Sequence, residues 1–128
     1  MRSEEILLSQ LPEALRGLIE EKDIEGILNY FFDYDIEERR IADALSRYAI
    51  ATNSSDLHKV AADVYMHVLP YLDDAFQLVF YHQWRVLEMD HFNDTELMTQ
   101  FLDYQSHPDF DMIPDEYYDY VKKQLSTK

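Results

Sequence analysis

Apolar residues recur along this chain at spacings of three and four, the period of an α-helix with one face turned inward. Leu7, Leu8, Leu11, Leu15, Leu18 and Ile19 open the pattern. Pro12 interrupts it and predicts two helices rather than one, because proline suits a first helical turn better than an interior. Asp23 reads as the cap of a short, very apolar helix over "IEGILNYFF". "DYD" at 33–35 reads as a turn, and a broad apolar face follows from Ile36 through Ile41, Ala44, Leu45, Tyr48 and Ala49 to Ala51. Asn53-Ser54-Ser55-Asp56 is the clearest loop, with cap candidates for a helix over 56–69 that Pro70 closes. Asp73 and Asp74 open a helix over 72–90, Asn93 or Asp94 caps one over 94–105, and Pro114 starts a last one over 114–125. "SHPDFDMIP" between the last two reads as irregular, and no segment alternates as a strand would. The expectation is one all-α domain over 1–128 with six to seven helices. Periodicity leaves open a compact bundle or a short HEAT-like stack of antiparallel pairs.

Composition agrees with helices, since the 128 residues include only two glycines and four prolines. It also removes several chemistries. With no cysteine there is no disulfide, thiol nucleophile, zinc–thiolate site or Fe–S cluster. There is no glycine-rich phosphate loop and no Gly-x-Ser-x-Gly elbow. "MRSEEILLSQLPEALRG" has acids where a secretory signal has basic residues, and no apolar run reaches the length of a membrane span. These features lead to the expectation of a cytoplasmic protein with no enzymatic role and no cofactor.

The net charge is −15, and it is uneven. Between residues 60 and 121 there are 13 acids and a single basic side chain, Arg85. Such a field repels nucleic acid and anionic membrane, and attracts a basic protein. The alternative is that it only keeps the protein soluble.

Two stretches concentrate usable chemistry. "FYHQWRVLEMDH" at 80–91 holds His82, the only tryptophan, Arg85, and a Glu88-x-x-His91 spacing that metal-binding helices use. Its hydrophobicity runs nearly all round, which predicts a central helix, with Arg85 as the centre of a structural ion pair among acidic neighbours. Glu88 and His91, with Asp63 and His67 at i and i+4, form the alternative reading of a carboxylate/histidine metal site. "DYQSHPDFDMIPDEYYDY" at 103–120 combines Asp109, Asp111, Asp115, Glu116 and Asp119 with Tyr104, Tyr117 and Tyr118. Carboxylates steer a basic partner and tyrosines are rigid anchors, so these eight residues are the candidate partner-binding set. The competing possibility is that the tyrosine rings pack the core and leave only their hydroxyls wet.

The segment "LPYLDDAFQLVFYHQWRVLEMDHFNDTELMTQFLDY", 69–104, resembles the helix–link–helix pairs of helical-repeat immunity proteins from bacterial polymorphic-toxin systems. That resemblance implies an inhibitor that occludes a cognate toxin's active surface, and it assigns no individual residue. A regulatory helical module without inhibitory role is the remaining alternative.

Overall fold

Pro12 does divide the N-terminal segment. In a computed structural model, which describes residues 3–33 and 39–128, α1 spans Ser3–Ser9 and α2 spans Glu13–Glu20 with Pro12 at its N-cap. Next come α3 (Ile24–Asp33), α4 (Arg39–Thr52) and α5 (Ser55–Asp63). A π-helical turn over Val64–Val68 continues α5 without a break. Then follow α6 (Ala75–Met89), α7 (Thr95–Asp103), two 3₁₀ turns at Tyr104–Ser106 and Pro108–Phe110, and α8 (Asp115–Ser126). Among the described residues the fold is all-helical with eight α-helices and no strand. The count of eight corrects the expected six to seven. Of the turn expected at 33–35, Asp33 is the last residue of α3, and residues 34 and 35, like Ile36, lie outside the described residues.

Local chemistry accounts for the helix starts. The Asp23 carboxylate accepts a hydrogen bond from the Gly26 amide at 2.9 Å, and a Cβ at position 26 would collide with that carboxylate. Glycine stands there because the cap closes tightly over it. The Ser54 hydroxyl accepts from Leu57 N and the Asp94 carboxylate from Leu97 N, each satisfying a first-turn amide. Asp74 precedes α6 but makes no cap bond, because its carboxylate is committed to Arg39.

The helix ends are less ordinary. Lys22, Asn53, His91 and Phe92 have φ between 51° and 58°, the left-handed region that glycine would fill without strain. The amide of Asp23 then reaches back to Leu18 O, and that of Phe92 to Leu87 O, both at 2.9 Å, closing the terminal carbonyls of α2 and α6.

The core runs the length of the chain. Leu15, Ile27, Phe31, Leu45 and Ala49 fill the N-terminal part, and Val79, Leu87, Met98, Phe101 and Val121 the C-terminal part. As its all-round hydrophobicity predicts, α6 is central: α5, the π turn, α7 and the second 3₁₀ turn all pack on it. No helix among the described residues is long and apolar enough to cross a membrane.

Candidate functional site: an acidic edge and a buried polar seam

The C-terminal acids are all on the surface. Asp109, Asp111, Asp115, Glu116 and Asp119 are exposed. Among the described residues none pairs with a lysine or arginine; Asp109 lies 3.5 Å from the His107 ring and Asp115 accepts a long bond from Gln105. Proline and 3₁₀ geometry explain the arrangement. His107 accepts from Asp109 N, Pro108 opens the second 3₁₀ turn, and Pro114 starts α8, so the chain bends twice in eight residues. Phe110 and Ile113 point inward and leave Asp109, Asp111 and Met112 outward.

The tyrosines behave differently from the acids. Tyr118 is 1% exposed, with its ring against Phe101 at 5.2 Å and its hydroxyl buried without a hydrogen-bond partner. It is a core residue and presents nothing to a partner, which corrects its assignment as a surface anchor. On α8 it lies one turn from Val121 and shares that helix's inward stripe. Tyr117 is half-buried between Phe80 and Trp84, each at 4.9 Å, and Tyr104 stacks on Phe110 at 4.0 Å and 10°. Burial raises the hydroxyl pKa of Tyr104 and Tyr118 above the usual phenol range. The large apolar side chains that this edge does expose are Tyr120 and, beside the acids, Met112. Beneath it runs a seam of rings: Phe76, Phe110, Tyr104, Phe101, Phe80, Tyr117, Trp84 and Phe92 touch in succession. Edge and offset ring contacts of this kind each add about 0.5–1.5 kcal/mol beyond area burial. The acidic edge is therefore mounted on a stiff base.

The metal alternative does not assemble. Helix α6 ends at Met89, and His91 sits beyond it in left-handed backbone, so Glu88 and His91 do not share a helical face. Glu88 instead accepts from Arg85 at 2.9 Å. His67 is exposed within the π turn, near half-buried Asp63, whose carboxyl is pushed up by burial and drawn down by His67. Among the described residues no three His, Asp or Glu side chains converge.

Arg85 is a smaller structural element than expected. Its side chain is 32% exposed and that of Glu88 42%. It holds one carboxylate, not a group of acidic neighbours, and its second nitrogen donates to Asn53 Oδ1 at 3.1 Å. Partly exposed pairs contribute little. Arg85→Ala is expected to lower unfolding stability by about 1 kcal/mol, mostly through the Asn53 bond, as measured by urea denaturation.

That Asn53 bond leads into a site the sequence does not announce. His58 and His82 are both 0% exposed and Ser46 is 5% exposed. Ser46 Oγ lies 2.7 Å from His82 Nε2, the two Nδ1 atoms of His82 and His58 are 2.7 Å apart, and His58 Nε2 lies 3.1 Å from Asn53 Oδ1. The protons on this chain follow from its ends. A guanidinium only donates, so the Asn53 atom facing Arg85 is its oxygen, and a carbonyl oxygen only accepts. His58 therefore carries its proton on Nε2 and turns a bare Nδ1 to His82. His82 then donates from Nδ1 and accepts from the Ser46 hydroxyl at Nε2. Both rings are neutral in this arrangement. Burial depresses the His82 pKa to about 3, with the neighbouring His58 adding to the effect, and burial together with the charge of Arg85 depresses that of His58.

One turn along α4 from Ser46, Asp43 accepts from the Tyr65 hydroxyl and from Arg39 Nε, and Arg39 also grips Asp74. Burial, and then the bond to Asp43, raise the Tyr65 pKa; the bond to Arg39 lowers that of Asp74. A polar seam thus crosses the α4–α5–α6 core from Asp74 to Glu88. The only advance signal is that Ser46 and His58 fall on helix faces otherwise made of Ala, Leu and Val. Ser46 and His82 have the spacing of a nucleophile and its base, but both are buried from solvent. One surface cleft lies between Ile19, Ile24, Tyr48 and Leu57. Comparison of the chain with protein-family models, curated proteins and solved structures finds no match.

Proposed function

We propose that this chain is an acidic protein-interaction domain, built as a compact bundle around α6, that binds and blocks a basic protein partner. Its most concrete form is a cytoplasmic immunity protein that neutralises a cognate bacterial toxin by covering its active surface, without catalysis of its own. One observation carries the reading: Asp109, Asp111, Asp115, Glu116 and Asp119 stand exposed together, unpaired with any lysine or arginine among the described residues, over a packed aromatic base. Unneutralised carboxylates on a rigid support lose little entropy on docking, and their field accelerates encounter with a cationic surface. Tyr117 and Tyr104 support the acids from below, and Tyr120 and Met112 supply apolar contact at their margin.

The test is a comparison of the wild-type protein with an Asp115→Asn/Glu116→Gln/Asp119→Asn variant, both used as bait in extracts of the native host. The wild type is expected to retain a basic protein that the variant does not, at unchanged helical circular dichroism. With that protein purified, the association rate should fall at least tenfold between low and physiological salt. A salt-independent association rate, or equal retention by the variant, removes this reading.

A further inference from the structure

The α4–α5–α6 core is closed by two imidazoles that face each other at their Nδ1 atoms, 2.7 Å apart and wholly shielded from water. One short contact between two nitrogens holds one proton, not two. Protonating His58 at Nδ1 sets N–H against N–H. Protonating His82 at Nε2 turns the Ser46 hydroxyl away from the ring it now donates to. No carboxylate among the described residues bonds either ring to compensate such a charge.

The groups around the pair reinforce this. From α6 itself Arg85 opposes a positive charge on His58, and Tyr81 lies edge-on to both rings. From α4 comes Ser46, while Asp43 of that helix is already shared between Tyr65 and Arg39. Tyr65 comes from the π turn, and Asn53 from the turn before α5 closes the far end. Among the described residues no free carboxylate is left at the rings to compensate a second proton.

We propose that the His58–His82 pair is an acid-sensitive latch: neutral, it locks α5 and α6 against α4, and acidification into the range of pH 5–6 weakens that lock. Both rings have folded-state pKa values depressed below the ordinary histidine value near 6.5. The unfolded chain therefore binds the extra protons first. The latch is fully stabilising above about pH 6.5 and is lost progressively as pH falls below it. Asp63, whose folded pKa is raised, works in the opposite direction and at lower pH, as does relief of the −15 net charge. The carboxylate of Asp74, held low by Arg39, loses its contribution only below about pH 4, outside the window.

Two measurements on the full chain test the latch. Urea unfolding at constant ionic strength should show the unfolding constant rising by at least about thirtyfold between pH 7.5 and 5, the part due to His82, with His58 adding to it. A His58→Leu/His82→Leu variant should lose most of that dependence. Imidazole ¹⁵N spectra of the folded wild type require no variant. They should show His58 protonated only at Nε2 and His82 only at Nδ1, unchanged from pH 7.5 to 5.5, with the exposed rings of His67, His91 and His107 as comparison. Wild-type stability that is flat over this range, a double variant equally pH-dependent, or a second proton on either buried ring in the folded protein would each overturn the proposal.

Discussion

Phe101→Ala is expected to lower unfolding stability by about 3–5 kcal/mol. The Phe101 ring is 1% exposed and meets Phe80, Trp84, Tyr104 and Tyr118 within 5.2–6.0 Å. Those four rings come from α6, the first 3₁₀ turn and α8, so the seam depends on one residue of α7 to join its parts. Truncation removes the transfer free energy of the phenyl group and leaves a cavity that surrounding rings, fixed by their own edge contacts, are too stiff to fill. A domain of this size is stable by about 5–15 kcal/mol, so the variant stands near the threshold of folding. Urea denaturation gives the answer through the midpoint at constant m-value. A loss under about 1.5 kcal/mol would mean that the rings repack and that the acidic edge rests on a softer base than described.

The second large effect concerns the histidines, and it is a matter of sign as well as size. His82→Leu preserves volume but strands His58 Nδ1 in a dry core and leaves the Ser46 hydroxyl with Tyr65 in place of the ring, at a cost of about 2–4 kcal/mol. His58→Leu strands His82 Nδ1–H in the same way, though Asn53 keeps its bond from Arg85. When both are replaced, the facing ring nitrogens that each single change would orphan are themselves gone, while the Ser46 hydroxyl is left as it is in His82→Leu. The double variant should then be less destabilised than the two singles summed, by about 1–3 kcal/mol, in a thermodynamic cycle at pH 7.5. Additivity within about 0.5 kcal/mol would show that the two rings do not depend on each other.

Much of the fold is legible in the chain because it depends on near neighbours. Leu11, Leu15 and Ile19 define an inward face by spacing alone; Asp23, Ser54 and Asp94 act on amides three residues away; Pro12 and Pro114 act on their own backbone. What escapes such reading depends on distant partners. His58 meets His82 across 24 residues, and Ser46 meets it across 36. Before folding brings these helices together, a histidine on an apolar face says nothing of what it faces. The π turn is hidden for a related reason, since "VYMHV" continues the apolar period of α5 and its wider coil is set by packing. The helix ends at Lys22, Asn53 and His91 lack the glycine or proline that would mark them.

The candidate edge divides along the same line. Acids are exposed wherever the backbone puts them, since burying an unpaired carboxylate is costly, and all five proved to be on the surface. Tyrosine has an apolar body and a polar tip, so its place depends on register. Tyr117 and Tyr118 are adjacent in sequence, and only the 100° step between neighbouring helix positions sends Tyr118 into the core and leaves Tyr117 half-covered.

The ring seam has an optical consequence. The chain has one tryptophan, Trp84, and its indole lies against Tyr117 and Tyr120 of α8 and against Phe92 beyond α6. Its emission is thus a native reporter of how α8 sits on the rest of the molecule, the helix that carries three of the five acids. The histidine pair faces away from that cluster into the α4–α5 side of the same helix. A single α6 therefore bears two separately readable signals: fluorescence from the α8 side and imidazole resonance from the α4–α5 side.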